Sequence, residues 1–263
     1  MLLSEFNSDE YVAHYTSLDT AVSYIIPTKT IKVGSSELLN DPYENVVDWL
    51  DMQANVIEIT SKEKHQNFLD LHKIKDILKR NIKIFSTTTF DKNSKNIADV
   101  SNHIYCRPRM WAQYGDNHKG VCLIFSKKEL HTEFKSSRKV GLLYGKIEYE
   151  NFIPIIHNDI FIEPSMVKSL LRDPYKLYEK LNDNQQLKSR FFKKHTDWKS
   201  EHEYRWLLFS ENGSEFYLPF HNSLKAIVFG SKTNDRYFKT LKDDKIPLYF
   251  LQFTNGNYQV LEV

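Results

Sequence analysis

Trp198-Lys199-Ser200-Glu201-His202-Glu203-Tyr204-Arg205, running on into Trp206-Leu207-Leu208-Phe209, is the stretch on which the fold turns. The apolar run after Arg205 reads as a strand of a buried sheet, and the alternation before it as the start of that strand. Successive side chains on a strand point to opposite faces. Glu201, Glu203 and Arg205 are therefore expected on one face, and His202, Tyr204 and Trp206 on the other, core-side face. Two carboxylates and a guanidinium in one row are costly to bury and out of place beside an apolar run, so the row reads as a site. An ordinary ion pair on a solvated edge strand is the plainer alternative.

Outward from this strand the chain offers several further elements. Residues 11–16, 30–33 and 83–89 read as strands, and Gly120-Val121-Cys122-Leu123-Ile124-Phe125 as a central one because it is apolar throughout. Ser17 or Asp19 caps a helix over about 18–26 that Pro27 ends. Residues 39–44, Leu-Asn-Asp-Pro-Tyr-Glu, form a turn. Residues 61–80 are a polar helix, 110–114 a short helix ended by Gly115, and 127–133 another. Residues 163–195 are expected to be rich in helix, with a basic cluster at Lys188, Arg190, Lys193 and Lys194. Strands follow at 214–218 and 224–230, a helix at 234–242, and two short strands at the C-terminal end. This pattern predicts one α+β domain over residues 1–263, with a central sheet and peripheral helices.

The bulk numbers narrow the class. The 263 residues are 41% hydrophobic and 14% aromatic, enough for a sizeable core, and the formal net charge is only +2. That charge argues against a protein whose binding is mainly electrostatic, although a local basic patch is compatible with it. Two cysteines give neither a disulfide framework nor a metal cluster and suit a reducing compartment. The first residues lack the pattern of a signal peptide, and no apolar run reaches the roughly 18 residues of a membrane span. The expectation is a cytoplasmic protein with no membrane segment. The ten histidines fall in no ligand spacing, so no metal is expected. There is no GxGxxG and no P-loop.

Five motifs carry a resemblance: Ala13-His14-Tyr15-Thr16-Ser17-Leu18, Leu39-Asn40-Asp41-Pro42-Tyr43-Glu44, Met110-Trp111-Ala112-Gln113-Tyr114-Gly115 with His118-Lys119-Gly120-Val121-Cys122, Trp198 to Arg205, and Ala226-Ile227-Val228-Phe229-Gly230. In this order they resemble a bacterial family of domains of unknown function met beside toxin–antitoxin and phage-defence genes. His14-x-Thr16 on a first strand, with a late strand glutamate, is also similar to ADP-ribosyltransferases, among them DNA-modifying toxins. That resemblance implies an ADP-ribosyltransferase-like sheet core and NAD as substrate. It makes Glu203 the catalytic glutamate, Glu201 the group that orients the acceptor, and His14 the holder of the adenosine ribose. The ring that stacks on nicotinamide is Tyr43 or Tyr114. The chain departs from the family pattern in having no Ser-Thr-Ser at the middle motif.

The chemistry asks for these residue types. Cleaving the nicotinamide–ribose bond builds positive charge on the sugar, which a carboxylate stabilises, as in glycoside hydrolysis. Carboxylates at i and i+2 of a strand, about 7 Å apart, can serve the ribose and its acceptor together. The diphosphate calls for cations, for which Arg205, Arg109, Arg107 and Lys119 are candidates. The expected function is an NAD-dependent ADP-ribosyltransferase acting as a toxin or defence effector on nucleic acid, RNA or single-stranded DNA. Lys188, Arg190, Lys193 and Lys194 would hold the acceptor's backbone, and an antitoxin or other defence protein would be the partner. The alternative is a non-enzymatic module that senses a nucleotide or a partner.

Overall fold

Strand β4 (Ile82–Thr89) is buried at seven of its eight residues, as its run of Ile, Phe and Thr requires, and the sheet is organised around it. The computed structural model describes residues 3–41, 44, 50–52, 61–91, 102–137, 140–151, 160–162, 164–173, 176, 191–210, 213–239, 241 and 246–263. The other strands are β1 (Tyr11–Thr16), β2 (Thr30–Ser35), β3 (Leu50–Met52), β5 (Val121–Ser126), β6 (Val140–Lys146), β7 (Glu148–Glu150) and β8 (Ile160–Ile162). They continue with β9 (Lys193–His195), β10 (Glu203–Phe209), β11 (Phe216–Pro219), β12 (Leu224–Phe229), β13 (Leu248–Thr254) and β14 (Asn257–Glu262). Ten of them form one sheet, and β3–β8 and β7–β9 are short parallel pairs. This is the mixed α+β architecture expected, a large central sheet with peripheral helices.

The sheet branches at β4. One edge of β4 pairs with β10 from Ile82 to Thr88, and β10 pairs in turn with β6. The other edge is shared by two strands. β1 meets it only at Thr88 and Thr89, and β2 only at Lys83 and Ile84. Among the described strands nothing pairs with Phe85, Ser86 and Thr87 on that edge, so the sheet opens there. From β1 the sheet continues through β5, β12, β13 and β14, and from β2 to β11.

Three apolar clusters clothe this frame. One contains Val12, Phe85, Leu123, Phe134, Trp206 and Leu208. A second packs the helices Ser61–Asn81 and Pro164–Arg172 onto Ile82, Ile84, Leu207 and Phe209. A third sets Trp111 of the helix Pro108–Gln113 against Tyr15, Cys122 and Val228. The alternation along β10 thus sends Trp206 and Leu208 to one cluster and Leu207 and Phe209 to another. Among the described residues no helix is long and apolar enough to cross a membrane.

Several sequence expectations need correction. Glu201 is not on the strand: it ends a 3-10 turn (Thr196–Glu201), His202 takes the left-handed conformation (φ 44°), and β10 begins at Glu203. The core-side assignment holds for Trp206, which is fully buried, but not for the rest of the row. Glu203 and Arg205 are buried, while His202 and Tyr204 are only half-buried. Both faces of β10 are covered, so period-2 alternation separated its faces but could not rank them. Pro27 does not end its helix, which runs on to Thr28, with a π turn at Ala21–Ile25, until Lys29 turns left-handed. Lys193 and Lys194 lie on a strand instead of a helix. Tyr43, Lys188 and Arg190 lie outside the described residues.

Candidate functional site

The opening between β1 and β2 over β4 is a cavity of about 310 Å³, at the low end for a small-molecule site. Its walls come from Ala13, His14 and Tyr15 on β1, Gly34 and Ser35 on β2, and Ile84 to Thr87 on β4. Met110, Tyr114, Lys194, Glu201 and Glu203 close one side, and Lys32, Leu38, Leu39 and Asn40 another. His14, Tyr114, Glu201 and Glu203, far apart in sequence, therefore line one space.

Each polar wall residue is held for an identifiable reason. His14 Nδ1 lies 3.1 Å from the Ser86 carbonyl, one of the β4 groups left without a strand partner. A carbonyl only accepts, so Nδ1 carries the proton and Nε2 keeps its lone pair. Burial holds the His14 pKa below its ordinary value, more strongly than the Ser86 bond raises it. Glu201 is presented by the 196–201 turn, which two arginines flanking the start of the Pro108–Gln113 helix staple down. Arg107 donates to the carbonyls of Thr89 (3.0 Å) and Ser200 (3.4 Å), and Arg109 to the Asp197 carbonyl (2.6 Å) and Ser200 Oγ (3.0 Å). Thr88 Oγ1 donates to the Glu201 carbonyl at 2.5 Å. Tyr114 OH donates to Glu201 Oε1 at 2.7 Å and accepts from Asn40 Nδ2 at 2.8 Å. Burial, then Glu201, pushes the Tyr114 hydroxyl well above its ordinary range, so it stays a donor.

Behind Glu203 lies a buried ionic cluster. Arg205 grips Glu203 through Nε and Nη2 (2.8 Å each) and reaches Glu44 Oε1 (2.5 Å) and the Phe191 carbonyl (2.8 Å) through Nη1. Lys194 Nζ lies 2.8 Å from Glu203, 3.1 Å from Glu201 and 3.4 Å from Glu44. Burial works against the Glu203 charge, but Arg205 and then Lys194 outweigh it and hold the carboxyl at about 2. Burial pushes the Glu44 carboxyl up, against the pull of Arg205 and Lys194. Tyr149 OH accepts from the Glu203 amide at 2.8 Å and fixes the start of the strand.

Other expected contacts are not brought to the cavity. Arg205 is 0% exposed, does not line it, and directs its guanidinium at Glu203, Glu44 and a carbonyl, which rules it out as a diphosphate contact. Arg109 serves the 196–201 turn and lies over the Trp198 ring at 5.4 Å. Thr16 is absent from the lining, and Lys119 lines a different cavity with Asp19, Ser23 and Lys232. Lys194, expected to contact nucleic acid, is 3% exposed inside the cluster, and Lys193 pairs with Glu150 at 2.6 Å. Sequence reasoning missed Lys194, Lys32, Gly34 and Ser86 as cavity residues. A signal for Lys194 existed: three carboxylates set against one guanidinium leave charge to be met.

Comparison with known proteins adds one match. Residues 110–206 match a family model, DUF2971, described as a protein of unknown function. The match starts at Met110, ends at Trp206 and contains Tyr114, Lys194, Glu201, Glu203 and Arg205, while β1, β2 and β4 lie outside it. No curated protein and no solved structure matches the chain.

Proposed function

We propose that the cavity binds the nicotinamide riboside end of NAD and that the chain transfers ADP-ribose from it. The observation that carries this reading is the convergence of His14, Tyr114, Glu201 and Glu203 where the sheet opens. In the proposed step the bond between ribose C1′ and the nicotinamide nitrogen breaks, and its electron pair leaves with neutral nicotinamide. A lone pair of the acceptor forms the new bond to C1′, and the acceptor's proton departs by way of Glu201. Glu203 stays ionised and faces the developing positive charge, the kind of fixed charge that contributes most to such reactions. His14 Nε2 can accept from a hydroxyl of the nicotinamide ribose, instead of the adenosine ribose that the resemblance assigns to it, and Phe85, Ile84 and Met110 supply apolar walls for the ring. NAD as substrate, the toxin or defence role and a nucleic-acid acceptor come from the sequence resemblance. With Lys194 inside the site, the acceptor rests on that resemblance.

One observation favours a second reading, a nucleotide-sensing module without turnover. Arg205 and Lys194 both neutralise Glu203, which leaves less of its field for a cationic transition state. Incubation with labelled NAD and mixed RNA, single-stranded DNA and protein separates the two. The transferase reading expects release of nicotinamide and label on one acceptor class. Glu203→Gln is expected to slow that release by roughly 100- to 1000-fold, with folding followed by thermal melting. NAD binding with no nicotinamide released would favour the sensor. A folded Glu203→Gln protein with parental turnover would move the chemistry away from this cavity.

A further inference from the structure

Lys194 stands out because of what converges on it. Its carboxylate neighbours come from two separate segments: Glu44 from the turn after β2, and Glu201 and Glu203 from either side of the His202 junction between the 3-10 turn and β10. An ammonium has three hydrogens to donate, and here three carboxylates lie within 3.4 Å of it. The ammonium also lies over the Trp198 ring, 5.3 Å from its centroid. Lys194 lines the cavity, yet it faces the protein's own carboxylates: it donates to Glu201 Oε2 at 3.1 Å and lies 2.8 Å from Glu203, while Glu44 Oε2 at 3.4 Å is a Coulomb neighbour that receives no hydrogen bond. Arg205 grips Glu203 and Glu44 and makes no bond to Glu201. Among the described residues Lys194 is thus the cation that ties Glu201 to Glu203.

We propose that Lys194 is the positioning residue of this site, an ammonium that fixes the spacing of Glu201 and Glu203. The catalytic readout rests on the transferase reading, and the titration readout does not. The groups facing Lys194 are Glu44, Glu201, Glu203 and Arg205, with Tyr114, Tyr149 and Trp198 beside them. Burial opposes the Lys194 charge, and Glu203, Glu44 and Glu201 outweigh it, so the ammonium persists across the working pH range. Removing it leaves three buried carboxylates with one guanidinium. Like charges that close cannot all stay ionised, so the cluster takes up a proton.

The test uses the whole chain. Glutamate side-chain carboxyl titrations by NMR, without ligand, compare the parent with Lys194→Met, and the pH profile of nicotinamide release is measured on both. The expected result is a cluster that protonates about one pH unit higher or more in Lys194→Met. The acid limb of turnover moves by the same amount, and kcat falls more than KM rises. A folded Lys194→Met protein with parental titrations and a parental acid limb overturns the proposal. Should Lys194→Met fail to fold, Lys194→Arg decides: it restores the charge but not the compact three-way geometry. The proposal then requires a parental acid limb with a lowered kcat, and an unchanged kcat overturns it. If the parent releases no nicotinamide, the transferase reading fails, and the titrations alone still decide the role of Lys194.

Discussion

Strand β1 has two neighbours and treats them differently. It pairs with β5 at all six residues, Tyr11 to Thr16, and with β4 at only two. On the β5 side the backbone groups satisfy one another and side chains fill what is left, giving the buried run of Val121 to Phe125. On the β4 side the backbone lets go after Ala13, and side chains must meet the freed groups, as His14 does at the Ser86 carbonyl. A continuous ladder makes core, and an interrupted one makes a cavity with polar walls.

Glycines on the two sides sharpen this contrast. A Cβ at Gly120, just before β5, would lie 2.2 Å from the Thr16 carbonyl oxygen and 2.9 Å from that of Gly115, both backbone atoms that cannot swing aside. Gly120→Ala is therefore expected to cost about 3 kcal/mol or more, as read by chemical denaturation. A parental midpoint in that variant would mean that the β1–β5 side is not closed as described.

An effect of intermediate size should appear in acid. Burial, then Arg107, holds His202 at about 4 against an ordinary 6.5. Between those values the unfolded chain binds more protons than the folded one. Stability from this group is complete above pH 6.5 and is lost as pH falls towards 4. Glu203 has the same sign lower down, its contribution present above 4.5 and lost as pH falls towards about 2. The His202 loss should be on the order of 2 kcal/mol. His202→Asn, which tolerates the left-handed backbone, should flatten the upper window and leave the lower. Melting curves that do not change between pH 7 and 4.5 in the parent would contradict this assignment.

The smallest change in stability is expected at Gly34, on the open side. A Cβ there would meet nothing within 4 Å, and its backbone is not left-handed. Gly34→Val should alter stability by less than about 1 kcal/mol while filling part of the cavity. NAD binding, followed by calorimetry, should weaken by roughly tenfold or more. Parental affinity in this variant would place the ligand elsewhere.

Much of the sheet was legible because its strands are short apolar runs bounded by turn residues. β1, β2, β4, β5 and β12 are all in that class. The sequence resemblance names His14, Tyr114, Glu201 and Glu203 together, and all four line one cavity. What escaped was depth. Alternation puts Glu203 and Arg205 on a common face, but Glu44, Phe191 and Lys194 close over them from elsewhere in the chain, and nothing within the strand reports those partners. Lys194 escaped for a related reason. Beside Lys193 it reads as part of a solvated basic run, and only the tertiary meeting of Glu44, Glu201 and Glu203 gives it a buried place.

The branching at β4 also bears on when the site comes into being. β4 is joined to β2 about fifty residues upstream and to β10 more than a hundred downstream, in the registers Gly34↔Ile84 and Arg205↔Ser86. Pairings of such long range make folding slow, because large loops must close before any contact rewards them. A chain leaving the ribosome amino end first carries His14, Gly34 and Tyr114 long before Lys194, Glu201 and Glu203. Until β10 has emerged, β4 lacks the strand that lines one whole edge, and the cavity lacks both of its carboxylates. The cavity is therefore incomplete for most of synthesis, and its last walls arrive late and together.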